Sequence, residues 1–232
     1  MDGPREAGRR PDGGAHPTLP GGPPDALRYS RPAMATPAGP PSPPAAPCRL
    51  RRDESLLVVV DLQERLVPHV SGHEAIVARA AALIDVARRY GIPAFATEHL
   101  PDRIGPTIAP LRSRFAPASI FVKTRFGAAD HPAFAAMLAS TGRTQAVLCG
   151  TETHVCVLQT ALGLAAAGYE VFVAGDATGS RAIRQDDRRH ALDRMREAGC
   201  VVTGSETTLF EWAERGDDPA FREVLARVKA LP

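Results

Sequence analysis

Three residues of this sequence are of types that together could perform nucleophilic hydrolysis: Asp61, Lys123 and Cys156. A cysteine at the opening of a helix, with an ammonium group nearby, is expected to ionise more readily than a free thiol. A carboxylate beside that thiol could accept its proton and later pass it to a leaving group. Taken singly, each residue has a plainer interpretation, as a helix cap, a solvated side chain and a small buried hydrophobe respectively.

The segments that precede these residues indicate how they would be brought together. Leu56–Val60 is an apolar run without alternation, which is typical of a parallel strand buried on both faces, and Asp61 follows it. Ser119–Lys123 predicts a third strand, and Gln145–Cys149 predicts a fourth strand followed by a helix over Val155–Ala167. Because parallel sheets bind ligands at the carboxyl ends of their strands, we expect the three side chains to converge there.

The rest of the chain from residue 48 alternates between helical and strand patterns. Helices are predicted over 73–90, 132–140, 186–198, 206–214 and 219–230, and strands over 93–97, 170–174 and 201–203. Four prolines within 98–118 predict a long loop with one short helix. This alternation predicts a single doubly wound (Rossmann-like) α/β domain with a six-stranded parallel sheet and helices on both faces.

The first 47 residues differ from the rest, since they hold 13 of the 22 prolines and 7 of the 20 glycines. Such a segment cannot bury enough apolar surface to fold, so we expect a disordered tail over 1–47 and a folded domain over 48–232. Met34 offers an alternative start of translation, in which case residues 1–33 are not made.

Composition excludes several classes of protein. With 28 basic and 26 acidic residues the net charge is +2, which does not predict a nucleic-acid partner. No apolar run approaches the roughly 20 residues of a membrane span. The four cysteines are not spaced like a disulfide framework or a zinc site. We therefore expect a cytoplasmic protein that uses neither a metal nor a cofactor.

Three segments carry a resemblance to a known family: LLVVVDLQERL (56–66), KTRFGA (123–128) and CGTETHVCVLQTALGL (149–164). Together they resemble the isochorismatase-like cysteine hydrolase superfamily, over essentially all of 54–230. Two further segments, TEHLPDRIGPT (97–107) and DRMREAGCVVTGSETTLFEW (193–212), are most similar to the isochorismatase-domain-containing subgroup, whose substrate is unassigned.

The resemblance implies a catalytic triad of Asp61, Lys123 and Cys156 in an amidase-type hydrolase. It also implies a cis peptide between Thr151 and Glu152, and an oxyanion hole formed by the backbone N–H groups of Glu152 and Cys156. Backbone donors held in place stabilise a tetrahedral intermediate without reorganising.

The sequence also departs from two branches of that family. True isochorismatases, which hydrolyse a vinyl ether, typically lack the cysteine that stands here at position 156. Nicotinamidases carry a metal site with a DxH pattern after the second strand, whereas TEHLPDRIGP lacks that spacing and is better interpreted as loop charges.

Four further residues are candidates for binding substrate: Gln63, Arg125, Phe126 and His154. Gln63 could equally cap the following helix, and Phe126 could belong to the core. His154 suggests a Cys–His pair by position, but the resemblance gives the role of base to Asp61.

These observations predict a hydrolase that cleaves a small-molecule amide or related C–N bond through a thioester-type intermediate. The resemblance further implies a homo-oligomer. Two alternatives remain open: a vinyl-ether or ester hydrolase using the same pocket, and a non-catalytic binding or scaffold protein on the same fold.

Overall fold

The structure, a computed structural model, describes residues 48–232. The predictions for the tail over 1–47 and for a start at Met34 lie outside the described residues.

A six-stranded sheet forms the centre of the described chain, and all its strand pairs are parallel. Along the sheet the strands are ordered β3-β2-β1-β4-β5-β6. The strand bounds are β1 Ser55–Val60, β2 Ala94–His99, β3 Ile120–Lys123, β4 Gln145–Thr151, β5 Glu170–Gly179 and β6 Val201–Thr203. The predicted doubly wound α/β fold is confirmed.

Eight helices accompany the sheet within residues 48–232. Their bounds are α1 His73–Arg89, α2 Pro101–Ile104, α3 Ala109–Arg112, α4 Pro132–Ala139, α5 Leu158–Ala166, α6 Gln185–Glu197, α7 Ser205–Ala213 and α8 Phe221–Lys229. Short turns of 3₁₀ helix lie at Val67–His69, Pro117–Ser119 and Ala182–Arg184.

The sheet has a hydrophobic core on each face, because successive residues of a strand point to opposite sides. Leu57 and Val59 of β1 pack with residues of α1, α7 and α8 on one face. Leu56 and Val58 pack with residues of α4, α5 and α6 on the other. Residues of a central strand thus become buried on both sides, which explains the unbroken apolar run in β1.

Several elements extend further than the sequence predicts, and the extensions lie at the carboxyl edge of the sheet. Strand β2 continues to His99, β4 to Thr151 and β5 to Gly179. The segment predicted to be a loop with one helix holds the two short helices α2 and α3. The helix predicted to begin at Val155 begins at Leu158 instead, preceded by a wide turn over Thr153–Val157 with π-helical hydrogen bonding.

Glycine at position 150 permits β4 to continue close to β1. Gly150 has φ +123°, and a Cβ there would collide with the carbonyl oxygen of Val60. A side chain at this position would push β4 away from β1 just before the turn that carries Cys156.

None of the helices within residues 48–232 is both long and apolar enough to cross a membrane.

Candidate active site

A buried ion pair lies at the carboxyl edge of the sheet. Lys123, the last residue of β3, donates from Nζ to Oδ2 of Asp61 at 2.6 Å, and the two side chains are 0% and 1% exposed. The ammonium group also donates to the carbonyl oxygen of Arg125 at 3.3 Å. Burial of two charges is costly unless they are paired in good geometry, so each residue depends on the other.

The Asp61 carboxylate has a second donor. The hydroxyl group of Thr97 on β2 donates to Oδ1 of Asp61 at 2.6 Å. The backbone of Asp61 turns away from β1 with φ +48°, in the left-handed region that Asp tolerates better than most residues. Its carbonyl oxygen accepts a hydrogen bond from the hydroxyl group of Thr151 at 2.8 Å. The carboxylate is therefore held by β2 and β3, and its backbone by β4.

The Cys156 thiol faces this ion pair from the wide turn ahead of α5, and the residue is buried. Burial raises the pKa of the thiol, the Asp61 carboxylate raises it further, and Lys123 acts in the opposite direction. The expectation of an acidic, readily ionised thiol is therefore wrong for the free site. The reason is that Lys123 is neutralised by Asp61, so that desolvation of the thiolate dominates.

The turn that carries Cys156 is held in place by contacts in its N-terminal half. The peptide bond between Thr151 and Glu152 is cis, at the position that the resemblance implies. The Glu152 carboxylate accepts hydrogen bonds from the backbone N–H and the Nε of Arg181, at 3.0 and 2.9 Å. His154 Nδ1 lies 2.9 Å from the hydroxyl group of Ser180. His154 thus contacts the segment after β5. This contact gives His154 a structural role that does not require it to act as a base.

The side chain of Gln63 is occupied by backbone groups of the segment after β2. Its Nε2 donates to the carbonyl oxygens of His99 and Gly105, at 3.0 and 2.6 Å, and its Oε1 accepts from the N–H of His99 at 2.7 Å. Both amide protons are therefore in use. This arrangement favours a structural role in holding the segment over the predicted contact with substrate.

His99 and Phe126 form a stacked pair beside the ion pair. Their ring centroids lie 5.1 Å apart, and Phe126 is 55% exposed rather than part of the core. His99 pairs in register with Lys123, and its Nδ1 is buried without a hydrogen-bond partner. Burial and Lys123 lower the pKa of His99, so its imidazole is neutral near pH 7. The side chain of Arg125 is exposed next to Phe126.

Glu98, beside His99, points away from the ion pair. Its Oε1 accepts from the N–H of Thr107 at 2.8 Å and is paired with Arg112. Within residues 48–232, no three His, Cys, Asp or Glu side chains are grouped as a metal site would require.

The structure thus brings together Asp61, Lys123 and Cys156 as the sequence predicted. The sequence pattern predicts no role for Thr97 and places His99 among loop charges. Both are polar residues at the end of β2, a strand that pairs with β1 as far as Val60 and Thr97. A polar residue at the end of a strand next to β1 is the sequence signal that could have identified them.

Comparison with known proteins gives a family match for most of the domain. The profile of the isochorismatase domain matches residues 55–207, which is more than half of the chain. The chain is 38% identical over 170 residues to isochorismatase domain-containing protein 1 of Salmo salar, covering 73% of this chain and 59% of that protein. It therefore spans less than two thirds of the length of that relative.

Two solved structures share the fold. The MAR1 ribonuclease of Caenorhabditis elegans is 34% identical with a TM-score of 0.74, and the match covers 80% of this chain and 95% of that one. YcaC from Pseudomonas aeruginosa, solved with hexane-2,5-diol and covalent acrylamide, is 26% identical with a TM-score of 0.72. That match covers 78% of this chain and 92% of the other.

Proposed function

Because the chain belongs to the isochorismatase family, we propose that it is a cysteine hydrolase that cleaves a small-molecule amide or related C–N bond. The observation that carries the proposal is the buried Asp61–Lys123 ion pair facing the Cys156 thiol. A carboxylate, a cation and a thiol in one buried site are the groups that thioester chemistry needs.

The first half of the reaction forms an acyl-enzyme. The carboxylate of Asp61 accepts the thiol proton as the sulfur of Cys156 attacks the carbonyl carbon. The C–N bond then breaks, Asp61 gives the proton to the leaving amine, and a thioester remains on Cys156. Because burial raises the pKa of this thiol, proton transfer to Asp61 accompanies attack rather than preceding it.

The second half returns the enzyme to its starting state. Asp61 takes a proton from water, and the hydroxide attacks the thioester carbon. The C–S bond breaks, the acid product leaves, and the proton on Asp61 returns to the sulfur of Cys156. Lys123 holds the carboxylate in place throughout, and the backbone N–H groups of Glu152 and Cys156 are the proposed donors to the developing oxyanion.

Two observations support amide cleavage over the alternatives. All three residues of the proposed triad are present, which argues against a non-catalytic binding or scaffold protein. The cysteine argues against a vinyl-ether hydrolase, since the enzymes of that reaction typically lack it.

The YcaC neighbour holds acrylamide covalently, and acrylamide is an amide that alkylates thiols, so the same reagent is a suitable probe of Cys156 here.

The test is turnover of a panel of small primary and secondary amides, with matching esters and vinyl ethers. We expect amine release with one or more amides, and a thioester adduct on Cys156 in the mass spectrum of the quenched enzyme. Cys156→Ala and Asp61→Asn are each expected to lower kcat by at least about a thousandfold. Cys200→Ala, which removes a buried thiol outside the site, is the matched control.

Each other outcome has a definite meaning. Amine release that persists in Cys156→Ala contradicts the proposed chemistry, and turnover of esters or vinyl ethers alone supports the first alternative. Saturable binding without turnover supports a binding protein. Because one neighbour is named a ribonuclease, single-stranded RNA is included in the panel, and its cleavage would contradict a small-molecule substrate.

We further propose a homo-oligomer in the cytoplasm. Val122 on the edge strand β3 and the nearby Phe126 are 53% and 55% exposed, and a second copy could cover them. The four cysteines are free thiols, which suits a reducing compartment. Light scattering coupled to size exclusion, with Val122→Glu as the disrupting variant, tests the assembly; a wild-type monomer would contradict it.

A further inference from the structure

A hydroxyl group that the proposed mechanism leaves unused lies against the proposed base. Thr97 is fully buried at the carboxyl end of β2, and its Oγ1 is 2.6 Å from Oδ1 of Asp61. Lys123 occupies the other carboxylate oxygen, also at 2.6 Å. The two oxygens of the carboxylate thus have different donors, one neutral and one charged, which come from neighbouring strands of the sheet.

The position of this hydroxyl group is fixed by the sheet. Thr97 pairs in register with Val60, and the N–H of Asp61 donates to the carbonyl oxygen of Thr97 at 3.2 Å. Threonine is β-branched and therefore stiff about χ1, so the direction of its hydroxyl group follows from the backbone. Valine or alanine here would remove the hydrogen bond that Thr97 donates to Oδ1.

Two donors on different oxygens restrict rotation of a carboxylate about its Cβ–Cγ bond. With Lys123 alone, the Asp61 carboxylate could swing about the ammonium group. With Thr97 as well, its plane is fixed and the remaining lone pairs keep one direction relative to Cys156.

We propose that Thr97 is a positioning residue of this site: its hydroxyl group orients the Asp61 carboxylate for proton transfer from Cys156. The proposal rests on the proposed function, because it gives Thr97 a role in the step that Asp61 performs. It predicts that the hydroxyl group, and not merely the volume of the side chain, is required.

The experiment follows alkylation of Cys156 by acrylamide between pH 5 and 10 in wild type, Thr97→Val and Thr97→Ser. In this reaction the sulfur bonds to the terminal carbon of the alkene, and the thiol proton passes through Asp61 to the neighbouring carbon. Thr208→Val is the matched control, since the hydroxyl group of Thr208 on α7 is also buried but donates to the carbonyl oxygen of Gly204, the residue that precedes α7.

We expect Thr97→Val to lower the alkylation rate at pH 7 by roughly 100-fold. Thr97→Ser should recover the wild-type profile to within a few-fold, and Thr208→Val should match wild type. Once a substrate is found, Thr97→Val should lower kcat to a similar degree with little change in KM.

The outcomes separate this proposal from the proposed function. A Thr97→Val enzyme with the wild-type rate and profile overturns the role of Thr97, whereas an Asp61→Asn enzyme with the wild-type profile overturns the role of Asp61 itself. If circular dichroism shows that Thr97→Val is unfolded, Thr97→Ala takes its place. The proposal would also be overturned if Thr97→Ser had the same profile as Thr97→Val, or as Thr97→Ala where that variant takes its place.

Discussion

At the scale of single residues, the proposed site depends on charges that are removed from water but neutralise one another. Asp61 and Lys123 form an ion pair inside the protein, and Cys156 faces it. The ion pair leaves little net charge to stabilise a thiolate, and burial raises the pKa of the thiol. In the proposed mechanism, Asp61 therefore accepts the thiol proton only as the sulfur attacks an acceptor carbon.

The first prediction concerns the coupling between the two charges. Asp61→Asn and Lys123→Met are each expected to destabilise the protein by about 3–5 kcal/mol, because each leaves a buried charge without its partner. The double variant should cost clearly less than the sum, since it leaves neither charge. Urea unfolding of the four proteins measures this coupling, and additive losses would contradict an ion pair that both residues need.

The second prediction concerns the pH dependence of stability. Burial raises the pKa of Cys149 to about 12, with a smaller contribution from Asp176. A folded-state pKa above the unfolded value of about 8.5 stabilises the protein fully below pH 8.5, and this stabilisation is lost as the pH rises toward 12. Between pH 8.5 and 10 the loss amounts to about 2 kcal/mol.

Cys149→Ala removes this contribution. We expect urea unfolding free energies at pH 7.5 and pH 10 to differ by about 2 kcal/mol less in the variant than in wild type. The variant itself loses about 1 kcal/mol at pH 7.5 through its smaller side chain. Equal changes with pH in the two proteins would show that Cys149 titrates normally in the folded state.

At the scale of elements, the site is assembled from strand ends and from the segments that follow them. The Glu152–Arg181 ion pair and the contact between His154 and Ser180 join the turn after β4 to the segment after β5. The Gln63 amide joins the turn after β1 to the segment after β2. Neighbouring turns therefore support one another, as expected where reacting groups must be held in fixed geometry.

The third prediction distinguishes the two interpretations of Gln63. If its amide holds the segment after β2, Gln63→Leu leaves the N–H of His99 and the carbonyl oxygen of Gly105 without partners. Each such loss costs about 1–3 kcal/mol, so a marked fall in Tm is expected. A variant with an unchanged Tm and a raised KM would instead support the contact with substrate predicted from the sequence.

The strands, and the positions of Asp61 and Lys123 at strand ends, could be predicted from the sequence because their signals are local. An apolar run followed by Asp61, or one ending in Lys123, places a side chain at the carboxyl edge of a parallel sheet. This placement does not depend on the order of the strands in the sheet. The contacts of Gln63 and Thr97 could not be predicted, because they depend on the register between strands far apart in sequence. The acidity of Cys156 was wrongly predicted because Lys123 was considered without its neutralisation by Asp61.

At the scale of the whole described chain, the domain begins earlier than the matched family region. The isochorismatase domain match begins at residue 55, yet Leu50 is fully buried in the core on the side of α1, α7 and α8. The Gln145 side chain, also buried, donates to the carbonyl oxygen of Arg49 at 3.0 Å and accepts from the N–H of Arg51 at 2.8 Å. The segment ahead of β1 is thus an integral part of the fold.

This arrangement yields the last prediction, which concerns two truncated chains. A chain of residues 48–232 retains Leu50 and both hydrogen bonds of Gln145, so it serves as the reference for urea unfolding. A chain of residues 54–232 exposes a cavity in the core and leaves the buried Gln145 amide without these partners. Losses of about 2–5 kcal/mol for the leucine and 1–3 kcal/mol for the amide are expected.

Two single variants separate these causes, one in each truncated chain. Leu50→Ala in the 48–232 chain should reproduce the loss from the core. Gln145→Leu in the 54–232 chain should recover part of its stability, because it removes an amide whose Oε1 has lost the N–H of Arg51. Equal stability of the 48–232 and 54–232 chains would place the boundary of the folding unit at β1.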